Sequence, residues 1–383
     1  MKYPFRRGGK PRLARAYLGY LPQVKDDVLT FGIEEEFFVV GRDGHLAPAG
    51  DMVVDAADED EGELQHELTR SQAESATDIC TTHDEALRQL RNLRADLASA
   101  AARRDCRLLP CGSAPLAESE LPTITPNPRY ERMAEHFGAI ARTSHTCGCH
   151  VHIAIPDRET GIRVLARVRP WLPALLTVTA NSAICDGYDT SYSSWRYQQW
   201  SRWPSAGPPP AFTSLDQYES IVDAWLRAGA ILDRKMIYWD VRLSENQPTL
   251  EFRFSDVAAT PEEATLLGVL IRGMVATILD SDERPAELPN EVLRAHLWRA
   301  SREGLSGRCP HPRTGDLAPA TEVLEDVVAF AASALKESGD YDFVREGCVR
   351  LVEGGSGADR QRARFAERER AEDVVELLAV RTE

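Results

Sequence analysis

No stretch of 18 or more apolar residues occurs in the 383-residue chain, which excludes a hydrophobic helix long enough to span a bilayer. The nearest candidate, 164–184, is interrupted by Arg167, Arg169, Pro170 and Pro173. The N-terminus carries Lys2, Arg6, Arg7 and Lys10 with no apolar segment behind them, so it does not read as a secretory signal and a cytoplasmic location is expected. Basic residues are in deficit: 45 Lys and Arg against 60 Asp and Glu leave a net charge of −15. A phosphate backbone is held chiefly by excess cations, so no nucleic-acid partner and no membrane are expected. No internal repeat is visible, and Gly354-Gly-Ser-Gly357 lacks both the Lys-Ser/Thr ending and the preceding strand of a phosphate-binding loop. The eight cysteines are scattered, which favours reduced, buried thiols over bridges.

What remains is the composition of a folded protein, with 43% apolar and 27% charged residues. Residues 1–28 read as a basic extension, 29–383 as the folded unit, and 288–383 as its helical C-terminal part. The segment around which the rest is arranged is Phe31-Gly-Ile-Glu34-Glu35-Glu36-Phe37-Phe38-Val39-Val40. β-Branched and aromatic residues make it a strand, closed by the turn Gly41-Arg-Asp-Gly44. Alternation puts Glu34 and Glu36 on one face, about 7 Å apart, and Glu35 on the other. At an effective dielectric of about 20, two such charges 4 Å apart repel by roughly 4 kcal/mol, which a bridging divalent ion reverses. A solvated edge strand is the alternative reading, and Glu35 is expected to pair with a basic group on the far face.

Residues 51–62 are rich in acids and read as a solvated loop. Glu67 and Glu74 are an odd number of residues apart, so they share a face only if the chain bends between them. Thr82-His-Asp-Glu85 is a capping box that opens an amphipathic helix to about Arg104, with Arg88, Arg91, Arg94 and Arg103 on its solvated side. A short strand at 108–112 and a helix at 129–140 follow. In the strand 143–155, His145, Cys147 and Cys149 alternate against His150 and His152, which argues against one zinc ion collecting them. A buried helical region bent at its prolines covers 162–184, and a stiff proline-rich loop covers 203–210. A helix is predicted at 216–228. Strands at 236–242 and 249–256 form a hairpin in which Glu251 and Arg253 share one face while Leu250, Phe252 and Phe254 share the other. Thr260-Pro261-Glu-Glu263 starts a core helix to about Leu279, and further helices are predicted at 289–303, 321–336 and 360–380. Glu34, Glu36, Glu67, Glu74 and Glu251 with His150 or His152 form an oxygen-rich ligand set suited to Mg²⁺ or Mn²⁺. With Arg242 and Arg253 nearby, that set has the parts phosphoryl transfer from ATP requires.

The ordered pieces are Gly32-Ile-Glu34-Glu35-Glu36, Glu67-Leu with Ser71-Gln72-Ala73-Glu74, Gly148-Cys-His150-Val-His152, Asn181-Ser182, Asp189-Thr190 with Tyr192 and Arg196, and Trp203-Pro204. Tyr238-Trp-Asp-Val-Arg242, Leu250-Glu251-Phe-Arg253 with Asp256, and Gly357-Ala358 with Gln361-Arg362 complete them. In these the chain resembles the bacterial carboxylate–amine ligases, or type-2 glutamate–cysteine ligase-like proteins, of the glutamine-synthetase-like superfamily. The resemblance implies an α+β fold, an antiparallel sheet funnel with flanking helices that binds ATP and two or three Mg²⁺, with Mn²⁺ as the alternative ion. It implies conversion of the γ-carboxylate of L-glutamate into an acyl phosphate that the amine of L-cysteine attacks. Glu34, Glu36, Glu67, Glu74, His150 and Glu251 would hold the metals, and Arg253 the transferring phosphate. Arg196 would meet a substrate carboxylate, and Arg242, Gln361 and Arg362 the nucleotide. Small amino-acid substrates and a homodimer are expected. The chain departs from the family pattern at Ala183, Tyr188 and Ser191, where proline, arginine and glycine are usual. A different carboxylate and amine pair, a metal-dependent amidohydrolase on the same scaffold, and a non-catalytic nucleotide binder are the alternatives.

Overall fold

The computed structural model describes residues 28–57, 61–143, 145–281 and 288–382, so the basic extension, apart from Val28, lies outside the described residues. Its centre is an open, seven-stranded antiparallel sheet. The strands are β1 (Phe31–Gly41), β2 (Glu63–His66), β3 (Gln72–Ala76), β4 (Cys106–Leu109), β5 (Gly148–Ala154), β6 (Val241–Leu243) and β7 (Thr249–Asp256). They lie in the order β2-β3-β1-β5-β7-β6, and β4 pairs with the second half of β1. Phe31, Ile33, Val151, Ile153, Leu250, Phe252 and Phe254 belong to one apolar cluster that includes Leu266, Leu267 and Leu270 of the helix Pro261–Leu279. That helix approaches so closely that a Cβ on Gly268 would sit 2.8 Å from the Ile33 Cδ1. Phe37, Phe38 and Val39 join a second cluster with Leu93 and Leu97 of the helix His83–Ala102 and with Leu108 of β4. The opposite face is left for charged side chains.

The capping box predicted from Thr82 and Glu85 is formed in full, and Thr260 caps its helix through the Glu263 amide with Pro261 in the first turn. Several expectations are corrected. The solvated loop at 51–62 is partly a short helix, Gly50–Val54, with Val53 and Val54 buried; Asp58, Glu59 and Asp60 lie outside the described residues. The helix at 129–140 divides at Gly138, whose φ of 54° ends Pro128–Phe137 before Ala139–Thr143 begins. The strand expected over 236–242 shrinks to β6. Asp233 caps a 3₁₀ turn at Arg234–Met236, and Tyr238 and Trp239 turn into aromatic packing. The helix expected over 360–380 is two, Gly357–Ala366 and Ala371–Leu378, separated where Glu369 adopts a φ of 53°. A helix at Tyr341–Gly354 and a small ladder pairing Arg308–Pro310 with Leu317–Pro319 were not expected from the pattern. No helix of the described residues is long and apolar enough to cross a membrane.

Arg94 is also corrected. It is not on a solvated helix face: it is 4% exposed and binds Glu35 through two hydrogen bonds of 2.9 and 2.6 Å. Amphipathic spacing alone placed it outside, because a buried carboxylate on a distant strand leaves no trace in the helix pattern.

Candidate active site

Register assembles the charged face. Glu36 lies opposite Glu74, Glu34 opposite His150, and His152 opposite Glu251, which in turn faces Arg242. The β2–β3 connection supplies the bend that Glu67 and Glu74 need: β2 ends at His66, the chain turns, and β3 runs back from Gln72. One oxygen each from Glu36, Glu67 and Glu74 then falls within 4.8 Å of the others. One ligand atom each from Glu34, His152 and Glu251 does the same in a second group. Both groups line a cavity of about 800 Å³.

Burial and like charge act together in the first group. Burial pushes the Glu74 carboxyl well up, and the charges of Glu67 and Glu34 push it further. Glu36 is raised to about 7 by burial and by Glu67, although the Gly148 amide donates to it at 2.6 Å. Acids so raised stay partly protonated until a cation replaces the proton. The second group is compensated from within. Burial acts to raise Glu34, but His152 and His150 overcome it and hold the carboxyl well below its usual range. Burial likewise opposes ionisation of Glu251, and Arg242 and Arg253 more than reverse it. Arg242 donates to Glu251 at 2.8 and 3.0 Å, and Arg253 donates to the same carboxylate.

The histidines differ. His150 is lowered to about 4 by burial and by Arg253, so it is a neutral imidazole; His152 is raised, against burial, by Glu34 and Glu251. His150 Nδ1 sits 3.1 Å from Glu34, and its Nε2 sits 3.7 Å from Glu36. His152 Nε2 lies 3.1 Å from the Glu34 carboxylate, while the buried Nε2 of His150 has no hydrogen-bond partner among the described residues. Clustered carboxylate oxygens at these spacings suit hard divalent cations such as Mg²⁺ or Mn²⁺, and the unpartnered His150 Nε2 is one further donor. The donor set therefore fits the expected metals.

Not every predicted residue reaches the cavity. Glu34, Glu36, Glu67, Glu74, His150, Glu251, Arg242 and Arg253 line it; Arg196, Gln361 and Arg362 do not. Arg196 is 1% exposed and packs against Gly148, where a Cβ would stand 2.1 Å from its guanidinium, and its charge acts on Glu36 from there. Its ring partner is Trp200, with the guanidinium carbon 5.6 Å from the indole centroid. Gln361 is fully buried and ties Asn181 to the Ile184 amide. Arg362 pairs with Asp189 and Ser193. Gln361 and Arg362, expected at the nucleotide, bond instead to the 181–193 segment among the described residues.

Residues the motif reading did not single out also line the cavity, Arg129, Tyr130, Trp200 and Lys235 among them, beside Tyr238 of the quoted motif. For Trp200 the sequence signal is the aromatic density of 186–203, which does not separate a cavity wall from a core; Arg129, Tyr130 and Lys235 carry none. Trp200 and Tyr238 pack at 4.8 Å between ring centroids, and the buried Trp203 backs them at 5.3 Å from Tyr238.

The family model described as "Glutamate-cysteine ligase family 2(GCS2)" matches residues 30–377. The chain belongs to glutamate–cysteine ligase family 2. Among relatives of this family member, "Putative glutamate--cysteine ligase 2-1" of Rhodococcus jostii (strain RHA1) is 48% identical over 353 residues, covering 91% of this chain and 95% of that one. The protein of the same name from Nocardia farcinica (strain IFM 10152) is 44% identical over 363 residues, covering 93% and 94%. Among solved structures, a glutamate–cysteine ligase from Francisella tularensis in complex with AMP superposes with a TM-score of 0.64 at 11% identity, covering 92% of this chain and 87% of that one. A bifunctional glutathione synthetase from Pasteurella multocida gives 0.63 at 16% identity over 91% of this chain. The family member spans about half of that enzyme, 51%. At such identities the two structures show a shared fold, and the α+β reading with an antiparallel sheet holds.

Proposed function

We propose that the protein is an ATP-dependent ligase that joins a carboxylate to an amine through an acyl phosphate. The observation that carries this reading is one sheet face that brings two groups of potential cation ligands to a cavity beside Arg242 and Arg253. The names of the relatives support glutamate as the first carboxylate to test, and the AMP held by the Francisella enzyme supports a nucleotide substrate. Small amino acids are the substrate class, in a cytoplasmic homodimer.

Glu36, Glu67 and Glu74 would hold one divalent ion and Glu34, His152 and Glu251 a second, with the free Nε2 of His150 available to either. Bound there, the ions supply charge neutralisation for the phosphates. Arg253, fixed by Glu251, stands where it can stabilise charge on the transferring phosphoryl group, and Arg242 keeps Glu251 ionised and oriented. A carboxylate oxygen attacks the γ-phosphorus and ADP leaves. The amine nitrogen then bonds to the acyl carbon as the carbon–oxygen bond to phosphate breaks, inorganic phosphate departs, and the amine gives up one proton.

The test is ADP release by purified protein with Mg²⁺, ATP, glutamate and a panel of amines. Release that depends on both carboxylate and amine, and that disappears in Glu36→Gln and Glu251→Gln, is expected. Amide turnover without ATP, or ADP release that survives both substitutions, overturns the reading.

A further inference from the structure

The cavity has two unlike ends. Around Glu251 stand Arg242 and Arg253, the groups suited to phosphates. The same cavity is also lined by Tyr130, Trp200 and Tyr238, of which Trp200 and Tyr238 pack on each other at 4.8 Å between ring centroids. Tyr130 lies near enough to Glu67 and Glu74 that their charges add to burial in pushing its hydroxyl up. Arg253 marks the boundary, with its guanidinium carbon 5.9 Å from the Tyr238 ring centroid. An acyl phosphate formed at Arg253 would lie next to the Tyr238 ring.

We infer that this aromatic end binds the amine, and that it selects a primary amine carrying an aromatic body over one with a short side chain such as cysteine. The inference rests on the ligase reading given above. The wall is built before any ligand arrives. Trp200 is held by Tyr238 in front, by Trp203 at 6.1 Å, and by the Arg196 guanidinium. Trp203 is in turn set edge-on against Phe137 at 5.2 Å. Rigid ring surfaces give a planar ligand contact area and favourable edge or face geometry at little ordering cost, whereas a thiol uses little of either. The cation beside this wall, Arg129, is already engaged by Asp233 at 2.8 and 3.1 Å, so it offers an amino-acid carboxylate only a shared partner. Selection falls on the body of the amine, which an aromatic amine and an aromatic amino acid have in common.

Calorimetric titration of the full chain with Mg²⁺ and a non-hydrolysable ATP analogue, using phenethylamine, phenylalanine, cysteine and alanine, tests this. Both aromatic ligands are expected to bind about tenfold tighter than either small one, the scale of a ring contact. Trp200→Ala should bring that ratio towards one, and Trp200→Phe, which keeps a ring, should restore most of it. Equal or tighter binding of cysteine, or a ratio unchanged in Trp200→Ala, overturns the inference. Comparison of phenethylamine with phenylalanine tells whether a carboxylate adds to binding. Aromatic binding with no ADP release when the analogue is replaced by ATP and glutamate is added would count against the ligase reading while leaving the aromatic subsite standing.

Discussion

The Arg94 guanidinium grips the Glu35 carboxylate at 2.9 and 2.6 Å on the side of β1 opposite Glu34 and Glu36, and spends its other hydrogens on the Ala258 and Ala259 carbonyls. One strand thus sends two acids to the cavity and one into an ion pair within the core, and that pair ties the helix His83–Ala102 to the start of the helix Pro261–Leu279. Breaking a buried pair by removing one partner strands a charge, at a cost of about 3–5 kcal/mol. Arg94→Ala should lower the urea midpoint accordingly, and Glu35→Leu with Arg94→Met should recover part of the loss. An Arg94→Ala protein as stable as wild type would show that the pair is not holding these elements.

Divalent-ion affinity should rise with pH up to about 7, where Glu36 ionises in the metal-free protein. Cation binding below that pH must displace a proton, and Glu74, raised by burial and by Glu67 and Glu34, adds to the release. The sign for folding runs the other way. Between the ordinary carboxyl range and about 7 the folded metal-free protein holds the Glu36 proton that the unfolded chain has lost, so this group's contribution to stability declines as pH rises through that window. Mg²⁺ titration in buffers of different ionisation enthalpy reads the released protons, and pH-independent binding between 5 and 7 would contradict the assignment.

Arg253→Ala is expected to lower kcat for ADP formation by about a thousandfold, the scale for an arginine that stabilises a transferring phosphoryl group. Arg253→Lys keeps the charge but not the forked contact to Glu251, so its rate should fall between the two. A kcat unchanged in Arg253→Ala with only KM raised would assign the residue to ground-state binding.

Gln361→Leu separates a structural role from a nucleotide one. The side chain bonds the Asn181 backbone and side chain and the Ile184 amide, all buried. Its loss should cost about 1–3 kcal/mol of stability through unsatisfied groups. KM for ATP should stay within twofold. A large rise in that KM with unaltered thermal stability would return Gln361 to the nucleotide.

Metal removal should loosen the sheet face first. With the divalent ions chelated, Glu36, Glu67 and Glu74 lose the cations proposed to offset their repulsion, so the melting temperature should fall on addition of EDTA and recover with excess Mg²⁺. Glu74→Gln removes one of the three acids and should shrink that response. An EDTA-insensitive melting curve in the wild type would argue against metal at this group.

How much could be read in advance depended on range. Alternation along β1 and β7 was local, so the side shared by Glu34 and Glu36, and the side shared by Glu251 and Arg253, followed from residue order alone. The caps at Thr82 and Thr260 were equally local. The ordered motifs, each weak, together indicated the family and so the donors Glu67 and Glu74, whose odd spacing required the bend that β2 and β3 provide. The motif reading failed where a residue's task depends on a distant neighbour. Arg94 looked solvated because Glu35 is 59 residues away, and the bonds of Gln361 to Asn181 and Ile184 could not be read from its own segment.

By itself, then, the sequence determined which side chains share a face and where helices start, because strand period and capping act over a few residues. Tertiary structure alone decided that β5 and β7 set His152 against Glu251, that Trp200 and Tyr238 line the cavity as well as pack in the core, and that Arg196 is buried against Gly148. Those outcomes are fixed by strand order and by packing between remote segments, whose energies no local pattern carries.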